Sequence, residues 1–381
     1  MNLKKIDIFS PLILIIIILL YLLLAVIGIG YGMRGLYPVS FTTYVYIFYG
    51  ISIFFLGFLF ARYIERHFFR KIKVSEDLKT FFDYISNSRY FNERTVLLFV
   101  IFPLLLELIN LYFLGGIPLF SGFLKAKAFN TLTVISYILF LISINVLVAK
   151  FYKKKYFLLV FIGLILFSAT GYRAISLAII LSVLITIYYI NGYKFKLFLI
   201  LMAITVILGL LVGYIAAISI EWQHWDVNPL SLVFIRAGFT LDILDKIISL
   251  ENSGQGLLTY HILTGFISSV DPRLILGQMV LKSNVSYTST IFGPAILEFG
   301  YVGLTVQMFF IGVILELLHH LQKIKKGLYT AFYAIGLAHT IIWVETSPTD
   351  LAVWIYYLIA VILLIYAGLT LNKDYKNKNK K

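Results

Sequence analysis

Apolar runs long enough to cross a lipid bilayer recur along this whole chain. A helix rises about 1.5 Å per residue, so crossing a hydrocarbon layer of about 30 Å takes roughly 20 residues. Windows of about this length predict an all-α fold, a polytopic helical bundle with about ten transmembrane helices. The windows are residues 11–29, 42–60, 96–114, 132–149, 156–170, 174–190, 197–218, 294–317, 328–344 and 351–369.

Composition excludes an ordinary soluble protein. The 381 residues are 61% hydrophobic and 13% charged, about half the usual charged share of a soluble domain, and the mean hydropathy is +0.94. The absence of cysteine excludes disulfides and thiolate chemistry. The net charge of +14 does not indicate a nucleic-acid partner, because the basic residues lie in short clusters between apolar runs. We therefore interpret residues 1–381 as a single membrane domain, whose first window is a retained span rather than a cleaved signal peptide.

The basic clusters also predict the orientation in the membrane. Cytoplasmic connections are enriched in lysine and arginine. With both termini in the cytoplasm, only eight of the 32 basic residues lie outside, and the other 24 lie inside. We therefore expect a multi-pass protein of the cell membrane with an even number of spans. The eight external residues are Arg34, Lys125, Lys127, Arg173, Arg236, Lys246, Arg273 and Lys282.

Two connections are long enough to contain structure of their own. The cytoplasmic one, residues 61–95, predicts an amphipathic surface helix with Ser75 as its N-cap. The extracytoplasmic one, residues 219–293, precedes the last three spans. Its apolar residues recur every four positions, which predicts an amphipathic helix. Those residues are Ile235, Phe239, Ile243 and Ile247. Residues 371–381 form a basic cytoplasmic tail.

Two polar residues lie close together within the third apolar window. Glu107 and Asn110 are three positions apart and share one helix face, one turn after Pro103, which can kink the helix. An ionisable group in hydrocarbon costs on the order of 2.5 to 3.5 kcal/mol. The pair therefore either binds a substrate hydroxyl or a proton, or forms an interhelical hydrogen bond.

Two external arginines are candidates for binding an anion. Arg173 ends a Thr-Gly-Tyr-Arg segment that separates two apolar windows with almost no loop. A guanidinium held at that depth suits a phosphate or diphosphate, which it grips bidentately; an interfacial anchor is the alternative. Arg236 opens the predicted external helix, where its spacing fits a binding residue and a solvated face equally well.

Several titratable groups are candidates for a general base, but none is selected by spacing. They include His224, His261 and Glu298. A lone histidine in such a place is more often an interfacial or hydrogen-bonded residue than a catalyst. Asp242 and Asp245 are weak evidence for a metal pair, and we expect no metal.

Four short stretches resemble the oligosaccharide repeat-unit polymerases, relatives of the O-antigen polymerases and ligases. The stretches fall after the third window, between the fifth and sixth windows, in the external helix and at the start of the eighth window. With the single large external connection, this likeness covers most of the chain. The stretches are residues 115–119 (Gly-Gly-Ile-Pro-Leu), 170–173 (Thr-Gly-Tyr-Arg), 234–236 (Phe-Ile-Arg) and 290–300, which contains Phe-Gly-Pro and Glu-Phe-Gly.

The resemblance implies a metal-independent, cofactor-free glycosyl transfer outside the cytoplasm. Donor and acceptor would both be polyprenyl-diphosphate-linked oligosaccharides, in contact with membrane lipids. A chain-length regulator or a flippase would be the protein partner. External arginines would surround the diphosphate, and His224, His261 and Glu298 all remain candidates for the base. We expect Arg173, Arg236, His261 and Glu298 to be catalytic, and Arg273, Glu107, Asn110, His224 and Tyr172 to bind substrate.

Other functions remain open at this point. A ligase of the same family runs the same chemistry with a different acceptor. A flippase or transporter also needs many spans, but such proteins usually show internal repeats and broken helices near the midplane, and this chain shows no evident repeat. A membrane-bound acyltransferase or another glycosyltransferase is a third class. A cytoplasmic donor would predict acidic and histidine clusters on the inner face, which is mainly basic here.

Overall fold

The structure, a computed structural model, describes residues 7–69, 92–128, 130–191, 195–219, 228–264 and 270–378. Within them all regular secondary structure is helical, which confirms the all-α prediction. A helix occupies each of the ten predicted windows. The α-helices are α1 (Ile13–Gly30), α2 (Phe41–Ile64), α3 (Glu93–Leu114), α4 (Gly122–Ala128), α5 (Thr131–Phe151), α6 (Phe157–Ser168), α7 (Arg173–Asn191), α8 (Phe195–Ile218), α9 (Pro229–Ser249), α10 (Leu257–Leu263), α11 (Pro272–Leu281), α12 (Gly293–Ile324), α13 (Leu328–Thr346) and α14 (Leu351–Lys378).

Six of the described helices are long and apolar enough to cross a membrane. They are α1, α2 with its continuation to His67, α3, α5, α7 and α12. The hydropathy of their apolar windows ranges from 1.9 to 3.2. The chain is therefore a polytopic helical membrane protein. The count of ten spans stays a prediction.

Close contacts between helix backbones hold the bundle together. Where α2 and α12 cross, a Cβ atom on Gly57 would lie 2.3 Å from the carbonyl oxygen of Phe309, and one on Gly312 would lie 2.4 Å from that of Phe54. Small residues at such crossings let membrane helices approach closely. The helix α13 packs against α5 and α7, and its inward residues are almost fully buried.

The amphipathic helix predicted in the external connection is present as α9 and packs along α1. Ile235, Ile243 and Ile247 are buried as predicted, and the Thr240 and Tyr21 hydroxyls are 2.6 Å apart across the two helices. One detail of the prediction is wrong, because Arg236 does not open the helix. The helix begins two turns earlier, at Pro229, where the Asn228 side chain accepts a hydrogen bond from the Leu230 amide.

Three predicted features fall wholly or partly outside the described residues. Most of the cytoplasmic connection 61–95, with Ser75, is one of them. His224 in the external connection is the second. The basic tail continues α14 as far as Lys378, and its last three residues lie outside.

Candidate functional site

A cavity of about 660 Å³ opens at the end of the bundle where α7 begins and α13 ends. Five basic side chains from five separate parts of the chain line its wall, together with one acidic side chain, Asp271. The basic residues are Arg34, Lys125, Arg173, Arg236 and Arg273.

A tight turn fixes the position of Arg173. Helix α6 ends at Ser168, and Gly171 adopts a φ of 76°, a left-handed conformation that favours glycine. A Cβ atom on Gly171 would also lie 3.3 Å from both the Leu119 Cα and the Lys125 Cδ. The turn lets α7 begin directly at Arg173, so the guanidinium is held at the cavity wall rather than on a long loop.

Glu345, in the last turn of α13, joins the two arginines that the sequence singled out. Its Oε1 atom accepts hydrogen bonds from Arg173 Nη2 and, at 3.1 Å, from Arg236 Nε. The side chains of Arg173 and Glu345 are only about a quarter exposed. A single carboxylate therefore holds two guanidinium groups side by side at the cavity.

Arg273 is held by Asp271 on the neighbouring side of the cavity. The Arg273 Nε donates to Asp271 Oδ1 at 3.0 Å, and the guanidinium carbon lies 5.7 Å from the centre of the Tyr172 ring. The Ser286 hydroxyl donates to Asp271 as well, at 2.9 Å. Burial raises the pKa of the Asp271 carboxyl, but the Arg273 guanidinium outweighs that effect, and the pKa lies below its usual range. Asp271 is therefore ionised at neutral pH.

Lys125 is a buried basic residue close to three arginines of the cavity. Burial, together with three neighbouring guanidinium groups, lowers the pKa of Lys125 to about 8. Those groups are Arg236, Arg173 and Arg273. Among the described residues, these basic side chains share the cavity with the carboxylate of Asp271, and Glu345 pairs with two of them.

One wall of the cavity is apolar. Gly213, Ala216 and Ala217 of α8 face Leu232 and Ile235 of α9 across the opening. Small residues on α8 leave space beside the arginines, and a Cβ atom on Gly213 would lie only 3.1 Å from Arg173 Nη1. The cavity therefore combines a basic wall with an apolar wall. An amphiphilic anion requires both.

Glu107 and Asn110 lie outside this cavity, in a buried polar network between α3 and α5. The Asn110 amide donates to Thr133 at 2.8 Å, and the Ser136 hydroxyl donates to Glu107 at 2.6 Å. Asn130 donates to the Asn110 carbonyl group at 2.8 Å. These contacts satisfy both side chains and favour the interhelical hydrogen bond over a substrate contact.

The candidate bases His261 and Glu298 are also remote from the cavity wall. Glu298 precedes a break in α12 at Phe299 and Gly300, and its carboxylate accepts from the backbone amides of Leu258 and Thr259 at 2.9 and 3.2 Å. It therefore caps the start of α10. His261 lies on that same short helix, and its Nδ1 is buried with no partner among the described residues.

The two aspartates considered as a metal pair have separate partners. Asp242 accepts from Lys246 at 2.7 Å, whereas Asp245 accepts from the Ser40 amide at 2.9 Å and from the Ser40 and Thr43 hydroxyls. The two carboxylates thus serve different contacts on α9.

The structure brings Arg173, Arg236, Arg273 and Tyr172 to one cavity. It adds three residues that the sequence analysis did not predict as site residues. Lys125 and Arg34 complete the cationic wall, and Glu345 pairs the central arginines. The count of basic residues predicted to lie outside the cytoplasm could have indicated two of them, Lys125 and Arg34. Five of the eight basic residues placed outside the cytoplasm converge on this cavity. Those five are Arg34, Lys125, Arg173, Arg236 and Arg273.

Comparison with known proteins identifies the family. Residues 7–357 match the family described as "Putative O-antigen polymerase". Two uncharacterized proteins of Methanocaldococcus jannaschii are similar as well. The first is 29% identical over 265 residues, covering 68% of this chain and 72% of the relative. The second is 28% identical over 253 residues, covering 66% of this chain and 58% of the relative. No solved structure matches. Since the family match extends over most of the sequence, this chain belongs to the O-antigen polymerase family.

Proposed function

We propose that this chain is a membrane glycosyltransferase that polymerises lipid-diphosphate-linked oligosaccharide repeat units on the extracytoplasmic face, for the synthesis of a surface polysaccharide. One observation carries the proposal: five basic side chains converge on a single cavity, where Glu345 binds two of them and Asp271 binds a third. A diphosphate supplies negative charge that complements this basic cluster. The family membership supports the same class of substrate.

The chemistry of the transfer fits the cationic wall. As the bond between the anomeric carbon and the diphosphate breaks, negative charge develops on the leaving oxygen. Guanidinium groups already in position stabilise that charge more in the transition state than in the ground state. Arg173 and Arg236 are the best placed, since Glu345 already holds them next to each other. These residues take the role that a metal ion plays in other transferases.

The apolar flank suits the lipid part of the substrate. The α8 and α9 wall offers Ala216, Leu232 and Ile235 to a polyprenyl chain, and the diphosphate would lie at Arg173. The glycan would extend toward the segment after α11, where Ser286 and Tyr287 line the cavity. The positive-inside count supports an extracytoplasmic location for this end of the bundle, with both termini in the cytoplasm.

Deleting the gene and profiling lipid-linked and surface glycans tests the proposal. We expect single repeat units in place of long chains, with the units accessible from outside the cell. Complete but unattached polymers would indicate a ligase instead. Repeat units trapped on the cytoplasmic leaflet would indicate a flippase, and an unchanged glycan profile would refute the assignment.

A further inference from the structure

A second, smaller cavity adjoins the cationic one. Its volume is about 40 Å³, and Ala174 and Thr346 line both cavities. A cavity of roughly 10 to 15 Å³ holds one water molecule, so this chamber has room for a hydroxyl group of a sugar. Asp350, which directly precedes α14, lines it. The chamber is the place where an acceptor hydroxyl can lie beside the diphosphate site.

Asp350 differs from the other carboxylates near this end of the bundle. In the part of the chain that the structure describes, its carboxylate makes no hydrogen bond or ion pair. A carboxylate at the start of a helix commonly caps the first amides, yet only the backbone oxygen of Asp350 is used, by the Val353 amide at 3.2 Å. The engaged carboxylates are Asp242, Asp245, Glu251, Asp271, Glu298 and Glu345.

The segment that carries Asp350 is well fixed. Ser347 adopts a φ of 65°, and the Trp354 indole donates to the Pro348 carbonyl oxygen at 3.1 Å. The Trp343 ring lines the same small chamber, and its own buried Nε1 has no hydrogen-bond partner among the described residues. Asp350 thus offers an acceptor to a hydroxyl in the chamber, and Trp343, another lining residue, has a donor that no described residue uses.

We infer that Asp350 is the general base that activates the acceptor hydroxyl, an assignment that rests on the proposed polymerase function. The hydroxyl oxygen forms a bond to the anomeric carbon of the donor sugar. The bond from that carbon to the diphosphate oxygen breaks, and its electron pair leaves with the polyprenyl diphosphate. The hydroxyl proton passes to the Asp350 carboxylate, which later returns it to solvent.

His339 is the other base in the chamber, but both of its ring nitrogens are engaged. Its Nδ1 lies 2.8 Å from the Ile335 carbonyl oxygen and so carries the proton, which it donates there. Its Nε2 accepts from the Tyr137 hydroxyl at 2.7 Å. Neither nitrogen is available to a substrate hydroxyl, whereas both carboxylate oxygens of Asp350 are.

The surroundings of Asp350 also suit a base. Burial raises the pKa of its carboxyl, Arg273 opposes that rise, and Asp271 reinforces it, so the resulting pKa lies above the usual value. A base works best when its pKa approaches the operating pH. The groups that face Asp350 from neighbouring elements are Arg273, Asp271, Tyr172, Tyr137 and His339.

The test uses membranes of the deletion strain, whose endogenous lipid-linked repeat units serve as donor and acceptor for added purified protein. We expect Asp350→Asn to lower kcat by a hundredfold or more, with KM nearly unchanged. Binding of farnesyl diphosphate, a short polyprenyl diphosphate, should match that of the wild type. Asp242→Asn is the matched control and should leave the rate unchanged, because Asp242 pairs with Lys246 on α9.

The pH profile separates a base from a merely structural residue. We expect the wild-type rate to rise with pH as Asp350 ionises, and Asp350→Asn to lose that acid limb. Asp350→Glu keeps a carboxylate, so it should recover part of the rate and show an acid limb at a shifted pH. If Asp350→Asn folds poorly, the pH profile of Asp350→Glu tests the assignment instead. Wild-type-like extension by Asp350→Asn, or equal losses of rate and farnesyl diphosphate binding, would overturn the assignment. Failure of the wild-type protein to extend chains would instead refute the polymerase function.

Discussion

The two ends of the helical bundle arrange their charged residues differently. At the end opposite the cavity, the segment before α1 meets the last turns of α2 and α12, and each of three carboxylates there has a basic partner. Burial raises the pKa of Asp7, but hydrogen bonds from His319, Lys323 and Tyr189 hold it well below its usual range. The pairs are Asp7 with His319 and Lys323, Glu316 with Arg62 and His319, and Glu65 with His320.

At the cavity end, by contrast, basic side chains from five parts of the chain meet at one opening. Among the described residues, Glu345 binds two of them and Asp271 binds a third, and burial together with the neighbouring guanidinium groups lowers the pKa of Lys125. Desolvated like charges repel, so such a cluster costs stability unless something else compensates it. The difference teaches that the basic residues at one end pair with carboxylates between helices, whereas those at the other end also line a cavity, which is the proposed anion site.

The largest expected effect comes from removing a central arginine. Arg173→Ala and Arg236→Ala should each lower the rate of chain extension a hundredfold or more, because one preorganised contact to a developing charge contributes about 3 kcal/mol. Both proteins should still insert in the membrane. Lys246→Ala is the matched control, since Lys246 shares α9 with Arg236 but pairs with Asp242. Normal chain lengths in both arginine variants would remove the proposed site.

A smaller effect concerns Lys125 and pH. The pKa of about 8 means that Lys125 loses its proton as the pH rises through that value in the empty cavity. Affinity for inorganic pyrophosphate should therefore fall as the pH rises from 7 to 9, by roughly fivefold for one contact of about 1 kcal/mol. Lys125→Arg should flatten this dependence, because a guanidinium stays protonated. Titration calorimetry at several pH values measures the pyrophosphate affinity of the wild type and of Lys125→Arg. An identical pH dependence of the two affinities would contradict the role of Lys125.

The smallest effect is expected at the end opposite the cavity. Arg62→Gln removes one partner of the buried Glu316, although His319 remains beside that carboxylate. Because Arg62 is partly exposed, the loss of stability should be about 1 kcal/mol. Thermal unfolding in detergent measures this change. Pyrophosphate affinity should not change, and a weakened affinity would show that the two ends are coupled.

The sequence predicted the helices well because apolar runs are local. Each predicted window contains a helix, and the four-residue repeat of the external segment marked the buried face of α9. The start of α9 was missed, because Asn228 and Pro229 supply a cap ahead of the apolar repeat. Local patterns thus located the helices more accurately than their ends.

The site was predictable only in part. Arg173 was recognised from its position between two apolar windows, and Arg236 from the family resemblance, but their shared partner Glu345 lies more than a hundred residues away from each. Only tertiary packing of α7, α9 and α13 brings the three together. In the sequence Glu298 was also a candidate site residue. In the structure its carboxylate caps the short helix α10.

Binding of farnesyl diphosphate to the purified protein in lipid nanodiscs tests the central claim most directly. We predict one binding site per chain, an affinity that weakens with added salt because the contacts are ionic, and loss of binding when Arg173 and Arg236 are both replaced by alanine. Farnesol, which lacks the diphosphate, should bind far more weakly. Equal affinity of the wild type and the double variant for farnesyl diphosphate would contradict the assignment of the cavity as a diphosphate site.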